Sequence, residues 1–462
     1  MKTLCPIRSV AIALFASAVL GACGEPAPLA HPNVVLIVAD DLGFGDVAWT
    51  NSGSPNPIPT PNLDRLAAAG VVLDQFRTAP LCTPARAAIL TGRAPARLGL
   101  LRNISAKDSG GLDPRVATLP ETLRAAGYAT ELVGKWHLGH ASAELRPTRR
   151  GFEHFLGLLG GWIDYQTHAR GAQADWWRDE SPLVQEGHST RLLAEEAVRA
   201  IRERDPARPL YLHLAFNAPH APTSVPPGRS VDEVAGQDPV RRQYALLVDE
   251  LDRGVGRVLD ALEKERIRGQ TLVVFVSDNG APAGYGGSNG KLREGKGTVY
   301  DGGLRVPAIV SWPGRLASGR SALMANAVDL VPTLCAAAGV DQAPDALRDG
   351  VSLWPALASA AAPPHRIAVF GVERADGSSW AAFDGRWKLV VAADAPRAAL
   401  FDVLADPGES RDRAAVEPEV AAQLEIELAP WRALPHLPFV GDEGPQRGPA
   451  EAQRGTSGDA SK

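Results

Sequence analysis

Val34-Val35-Leu36-Ile37-Val38-Ala39 is a run without a polar side chain, and it leads straight into Asp40-Asp41. A strand can be apolar at every position only if both of its faces are covered, which in a water-soluble chain means the interior of a parallel sheet. Thr271 to Val276 repeats the pattern, and Leu210 to Phe216 and Tyr128 to Val133 read as further strands. Helix signals lie between them. Thr60-Pro61-Asn62 offers a capping residue and a first-turn proline, with Gly70 as the stop. Thr118-Leu119-Pro120-Glu121 is a capping box whose helix ends at Gly127. Tyr244, Leu247, Val248, Leu251, Val255, Val258, Leu259 and Leu262 mark one face of a long helix. Buried strands alternating with helices define an α/β fold, a parallel sheet covered on both sides.

The texture changes after Pro363. Ile367 to Phe370, Ser379 to Phe383, Trp387 to Val391 and Leu400 to Val403 read as short strands joined by turns such as Asp384-Gly385. A helix follows from about Glu417 to Trp431. The expected division is a main domain over 33–362, a small antiparallel sheet with one helix over 363–436, and a disordered tail over 437–462, rich in Gly, Ser, Pro and charge.

At the other end, Lys2 and Arg8 precede a short apolar stretch, Val10 to Leu20, suited to export rather than to a membrane span. It ends in Leu20-Gly21-Ala22-Cys23, which resembles a bacterial lipobox. On that reading residues 1–22 are a lipoprotein-type signal peptide, Cys23 carries lipid, 23–32 is a Pro/Ala linker, and the protein is held in the periplasm or at the cell surface. A plain signal peptide, with Cys23 incidental, shares every upstream feature. The net charge of −5 gives no footprint for nucleic acid. With Cys5 and Cys23 belonging to the targeting segment, only Cys82 and Cys335 remain in the body of the chain, too few for a disulfide framework. Cys335 lies in an apolar helical stretch and reads as packing, a Cys82–Cys335 disulfide being the alternative.

Ligands of parallel sheets bind at the strands' carboxyl ends, and here the chemistry-bearing residues stand directly after the strands. The first strand delivers Asp40-Asp41 and a later one Ser277-Asp278-Asn279-Gly280. The strand near 130 ends in Gly134-Lys135-Trp136-His137, and the one near 213 in Asn217-Ala218-Pro219-His220. Asp40, Asp41, Asp278 and the amide oxygen of Asn279 form a hard oxygen set suited to Ca²⁺ or Mg²⁺, and without a cation three such acids would repel one another. Singly, each acid could as well cap a helix. Cys82 precedes Thr83-Pro84, a cap and a helix start, so it sits at a helix N-terminus, where an anion is favoured and Arg86 is one turn away. From these residues alone, a thiolate nucleophile and a structural cysteine stay equally open. Trp162, Trp176, Trp177 and Trp312 read as core.

Cys82-Thr83-Pro84-Ala85-Arg86, continued by Leu90-Thr91-Gly92-Arg93, resembles the C-x-P-x-R signature of the type I sulfatases, within the alkaline-phosphatase-like superfamily. Gly134-Lys135-Trp136-His137-Leu138-Gly139, the Glu294-Gly295-Lys296-Gly297 to Pro307 stretch, Asp40-Asp41-Leu42-Gly43 and Ser277-Asp278-Asn279-Gly280 resemble the family's other segments. The resemblance runs from Pro32 to about Leu434. It implies a large mixed, mostly parallel sheet sandwiched by helices, and hydrolysis of sulfuric esters. It also implies that a separate formylglycine-generating enzyme oxidises Cys82 to an aldehyde, whose hydrate is the nucleophile. Ca²⁺, or Mg²⁺, would be held by Asp40, Asp41, Asp278, Asn279 and the modified residue 82. Arg86 and Lys135 would support the nucleophile, His137 would assist elimination, and His220 and Lys296 would bind sulfate and protonate the leaving oxygen. The segment Leu158-Leu159-Gly160-Gly161-Trp162-Ile163-Asp164-Tyr165 is closer to the arylsulfatase B branch, hinting at a sulfated sugar.

Two other functions compete. A phosphonate monoester or phosphodiester hydrolase of the same superfamily would use nearly the same groups, although the Lys135, His137, His220 and Lys296 set favours sulfate. A surface lipoprotein that merely binds sulfated glycans would leave Cys82 unmodified.

Overall fold

The computed structural model describes residues 31–236, 238–341, 349–359, 361–362 and 365–436. The expected leader, nearly all of the linker and the tail at 437–462 lie outside the described residues. In chain order the strands before the C-terminal region are β1 (Asn33–Ala39), β2 (Val71–Arg77), β3 (Ala129–Lys135), β4 (His154–Leu158), β5 (Ala169–Arg170), β6 (Gln173–Ala174), β7 (Trp177–Arg178), β8 (Ser181–Pro182), β9 (Leu210–Ala215), β10 (Thr271–Ser277), β11 (Ala308–Ser311) and β12 (Gly319–Asn326). β5 and β6 pair only with each other, and the rest form one sheet in the order β12-β2-β11-β10-β1-β9-β3-β4-β7-β8. The run β10-β1-β9-β3-β4 is parallel throughout, whereas β11 is antiparallel to both β10 and β2.

The helices are α1 (Pro61–Ala68), α2 (Cys82–Thr91), α3 (Leu119–Ala125), α4 (Ser189–Glu203), α5 (Pro239–Lys264), the single turn α6 (Asp301–Leu304), α7 (Leu330–Ala338) and α8 (Trp354–Ser359). They cover both faces of the sheet, which is why β1 can be apolar throughout. Val34, Leu36 and Val38 pack with residues of α2, α3 and α7, while Val35, Ile37 and Ala39 pack with residues of α1, α4 and α5.

A second sheet, β13 (Ala368–Arg374), β14 (Gly377–Phe383), β15 (Trp387–Val391) and β16 (Ala399–Asp402), is antiparallel in sequence order. Helix α9 (Pro418–Arg432) covers one face through Leu424 and Leu428, and the other face packs on Leu81, Val299 and Leu304 of the larger body. A buried charge network crosses this junction. Arg77 donates to Asp301 at 3.0 and 2.6 Å, Lys388 Nζ lies 2.8 Å from both Asp301 and Glu409, and Asp301 N donates to Glu409 at 2.7 Å.

Three local expectations are corrected. Thr60 stands at the N-cap of α1 as expected, but its hydroxyl bonds no backbone N–H there and donates instead to Asp64, at 3.1 Å. Helix α2 begins at Cys82 itself, with Leu81 in the cap position, and the Thr83 hydroxyl turns away to bond His137 O at 2.9 Å and Ile104 N at 3.1 Å. Cys82 and Cys335 are both free and buried, so no disulfide joins them. Among the described residues no helix is long and apolar enough to cross a membrane.

Candidate active site

The adjacent parallel strands β10, β1, β9 and β3 end at one edge, and the chain that leaves each of them turns into the same small volume. After β1, Asp40 N bonds Ala218 O at 3.1 Å, and Asp41 takes a left-handed conformation (φ 69°) that Asp tolerates better than most residues. That kink aims both carboxylates inward. Asp278 N bonds Ala39 O at 2.9 Å, so the end of β10 is stitched to the end of β1. The Lys135-Trp136-His137 stretch is continued from β3 by bonds to Leu158 O and Leu159 O, and His137 also has a positive φ, 58°. His220 comes on the loop after β9, whose carbonyls at Asn217 and His220 lie 2.9 and 2.8 Å from the Tyr165 hydroxyl. Lys296 is carried by the loop before α6, where Lys296 N bonds Ala281 O and Gly297 N bonds Pro80 O.

All ten residues singled out from the sequence meet here. Cys82 Sγ is 3.6 Å from Asp40 Oδ1. Lys135 Nζ is 2.7 Å from Asp40 Oδ2, and Lys296 Nζ is 2.7 and 2.9 Å from the two Asp41 oxygens. The Arg86 guanidinium grips Asp278 Oδ2 at 2.8 and 3.1 Å, donates to Lys135 O at 3.0 Å and lies 3.7 Å from Asp40 Oδ1. Asp278 Oδ1 accepts from Asp41 N at 3.2 Å, and Asn279 Nδ2 donates to Asp41 Oδ1 at 2.6 Å. His220 Nε2 lies 3.6 Å from Asp41 Oδ2. Three buried acids thus face three cations, Arg86 and Lys135 buried and Lys296 partly open to the cavity.

These neighbours set the protonation states. Burial raises the Asp40 carboxyl, but Lys135, His220 and Arg86 together hold it below the usual carboxylate range. Burial likewise opposes ionisation of Asp41, and Lys296 and His220 outweigh it. Burial works against the Lys296 ammonium too, yet Asp41 keeps it firmly charged. Burial, reinforced by Lys135 and Arg86, holds His137 well below the histidine range, so its imidazole is neutral; its Nδ1 is buried without a partner. His220 is lowered by burial and by Lys296. Burial pushes the Cys82 thiol up to about 12.

Ligand atoms of Asp40, Asp41, Cys82 and His220 lie within 4.8 Å of one another. Beside them Asn279 Oδ1 is buried and has no hydrogen-bond partner, although its amide nitrogen is bonded. A buried carboxamide oxygen left over in this way is what a hard cation would take up, so the residues present fit a divalent metal. Above the cluster opens a cavity of about 180 Å³ lined by Asp41, Cys82, His137, His220 and Lys296, and also by Asn103, Ser105, Trp162, Arg170 and Tyr285. Sequence reasoning misses the last five. Trp162, expected in the core, walls this cavity instead, with the Arg170 guanidinium 5.4 Å from its ring centroid. Asn103, Ser105 and Tyr285 sit in loops without periodicity, and Arg170 in the two-residue strand β5, too short to show any.

The doubly covered sheet and the acids, cations and cysteine at its carboxyl edge define a hydrolase of the sulfatase class. A sequence model of the sulfatase family matches residues 32–340, and the chain belongs to that family and acts on sulfate esters. Among its relatives, N-acetylgalactosamine-6-sulfatase of Canis lupus familiaris is 37% identical over 372 residues, covering 74% of this chain and 69% of that protein. Arylsulfatase A of Bos taurus is 36% identical over 365 residues, covering 73% and 70%. Among solved structures, Ps i-CgsB in complex with k-i-k-neocarrahexaose has a TM-score of 0.81 and 30% identity, covering 88% of this chain and 94% of that one.

Proposed function

We propose that the protein releases sulfate from a sulfated sugar, using a formylglycine made from Cys82 and a bound Ca²⁺, with Mg²⁺ as the alternative ion. One observation carries this reading: Asp40, Asp41, Cys82 and His220 offer ligand atoms within 4.8 Å of one another at the floor of a cavity, beside the unpartnered Asn279 Oδ1. As a thiol, Cys82 is a poor nucleophile, because burial pushes it up to about 12 and so disfavours the thiolate at neutral pH. The hydrated aldehyde at residue 82 supplies an oxygen nucleophile and a second hydroxyl through which sulfate can later be expelled. A bound Ca²⁺ supplies positive charge to the sulfate oxygens, and the crowded carboxylate and carboxamide set suits it better than Mg²⁺, which keeps more of its water.

The chain's own residues do the rest. Lys135 and Arg86 fix Asp40 and Asp278 and so hold the nucleophile's surroundings rigid. His220 and Lys296, both lining the cavity, bind the sulfate oxygens, and one of them passes a proton to the leaving alcohol. Neutral His137, its Nδ1 unpartnered, takes a proton as sulfate departs. Three acids against three cations balance without a metal, so a divalent ion leaves the site net positive and complementary to an anionic ester. Trp162 and Tyr285 on the wall, and relatives that act on sulfated N-acetylgalactosamine, support a sugar as the alcohol. The leader reading adds export and a lipid on Cys23, leaving the enzyme in the periplasm or at the cell surface, after the formylglycine-generating enzyme has acted.

Mass spectrometry of the Cys82 peptide from active protein tests the proposal, since replacing SH with the aldehyde lowers its mass by about 18 Da. An active preparation whose Cys82 is entirely thiol would sink it. Turnover of a nitrophenyl sulfate should exceed that of a nitrophenyl phosphonate ester.

A further inference from the structure

The catalytic cavity does not end at its own walls. A second cavity of about 460 Å³ shares Asn103, Pro282 and Lys296 with it and continues towards the C-terminal sheet, where the β13–β14 turn, Glu373 to Asp376, forms its far side. This side is anchored to the catalytic body at two points. Glu373 N donates to Leu101 O at 2.8 Å, and Arg374 Nη1 donates to Gly297 O at 3.0 Å, next to Lys296. Asn103, on the shared wall, in turn accepts from Thr83 N at the start of α2, at 3.1 Å. The second cavity is therefore a braced extension of the first.

Its chemistry is mixed. Arg374 and Asp376 of the exposed turn bring N–H groups and a carboxylate, and Asn103 brings a carboxamide, while Arg102 is held by Asp108 and Glu373 by His436 and Ser378. Hydroxyl groups donate and accept together, so such a lining suits a polyhydroxylated ring better than a second sulfate or an apolar group. Size points the same way. The first cavity, at about 180 Å³, falls short of the roughly 300–1,000 Å³ usual for a small-molecule site, and it comes within that range only when joined to the second, at about 460 Å³.

We propose that the substrate is a sulfated oligosaccharide, whose sulfated unit occupies the first cavity and whose adjoining unit occupies the second against the β13–β14 turn. This rests on the reading of the first cavity as the sulfate-ester site, and it makes the C-terminal sheet part of substrate recognition. The discriminating variant is Ala375→Trp, because Ala375 is exposed and lines the second cavity alone, whereas Arg374 also braces the loop of Lys296.

With full-length enzyme, sulfate release is followed from p-nitrophenyl sulfate and from sulfated galactan and glycosaminoglycan tetrasaccharides, each beside its matching sulfated monosaccharide. The wild type is expected to favour the best tetrasaccharide over its monosaccharide by tenfold or more in kcat/KM. Ala375→Trp is expected to erase that preference through KM while p-nitrophenyl sulfate turnover stays unchanged, and Ala375→Ser is expected to behave as wild type. Equal rates on the two saccharides in the wild type, or an equal loss on p-nitrophenyl sulfate in Ala375→Trp, overturns the proposal. Calorimetric binding of the same saccharides to Cys82→Ala, with and without Ala375→Trp, separates this question from the chemistry at residue 82. Tenfold weaker tetrasaccharide binding with monosaccharide binding unaltered supports the second subsite even if the nucleophile assignment fails, and unaltered tetrasaccharide binding overturns it.

Discussion

Lys135 Nζ lies 2.7 Å from Asp40 Oδ2, and both side chains are almost wholly excluded from solvent. A charge pair this dry is strongly directional, and removing one partner leaves the other uncompensated. Lys135→Met should lower kcat on a nitrophenyl sulfate by on the order of 10²–10³, with near-ultraviolet circular dichroism unchanged. Lys135→Arg should not restore the rate, because a planar fork cannot replace a point charge in the same space. Activity within tenfold of wild type in Lys135→Met would take Lys135 out of the machinery.

Gly161 lies directly under His137. A Cβ there would sit 2.7 Å from His137 Cε1 and 2.8 Å from Nε2, so Gly161→Ala must displace the imidazole. We expect kcat to fall by about 100-fold with little change in Tm, since a misplacement near 1 Å is enough. Steady-state kinetics alongside thermal melts check this.

Calcium should stabilise the fold as well as serve the chemistry. Adding it at about 100 times its Kd to chelated protein should raise stability by about 2.7 kcal/mol, seen as a higher Tm. Asn279→Ala removes the unpartnered buried oxygen and should shift that response to higher calcium. A Tm indifferent to calcium in the wild type argues against a resident ion.

Two buried histidines predict acid sensitivity. Burial lowers His188, which stacks on Tyr165, to about 4, and lowers His213, 3.0 Å from the Tyr211 hydroxyl, to about 3. Both folded values lie below the unfolded histidine value of about 6.5. The unfolded chain therefore binds more protons, and stability is full above pH 6.5 and declines as the pH falls from there towards 4 for His188 and towards 3 for His213. Denaturant titrations should give a slope of about 1.4 kcal/mol per pH unit for each histidine, and His213→Phe should flatten it. A stability constant between pH 6.5 and 4 contradicts this.

Lys388 sits between Asp301 and Glu409, 2.8 Å from each, where the two sheets meet. Lys388→Met leaves buried Asp301 with Arg77 alone and takes from buried Glu409 the ammonium paired with it, and should destabilise the protein by about 3–5 kcal/mol in urea unfolding.

Much of this architecture is legible in the sequence because strands buried on both faces run almost wholly apolar. β1 and β10 stand out for that reason, and their last residues mark the site edge. The capping box at Thr118 and Glu121 forms as expected, since both of its bonds are local. Thr60 and Thr83 mislead because a hydroxyl has several partners within reach, and tertiary neighbours, Asp64 for one and His137 with Ile104 for the other, outcompete the cap. β12 escapes notice because it lies at the sheet's end and its residues are half exposed, so it carries no apolar run. Asn103, Trp162 and Tyr285 reach the cavity from loops and Arg170 from the two-residue strand β5, and no periodicity announces which of such residues will meet.

Cys82 is only 1% exposed, in the first turn of a helix whose every residue is buried. On the proposed chemistry, a chain that finishes folding with its sulfur still reduced is sealed against activation. Its activity was decided during synthesis, by a race between collapse and oxidation. Purifying such protein further cannot raise its specific activity; only slowing the collapse, or supplying more of the oxidising enzyme while chains are being made, can do so.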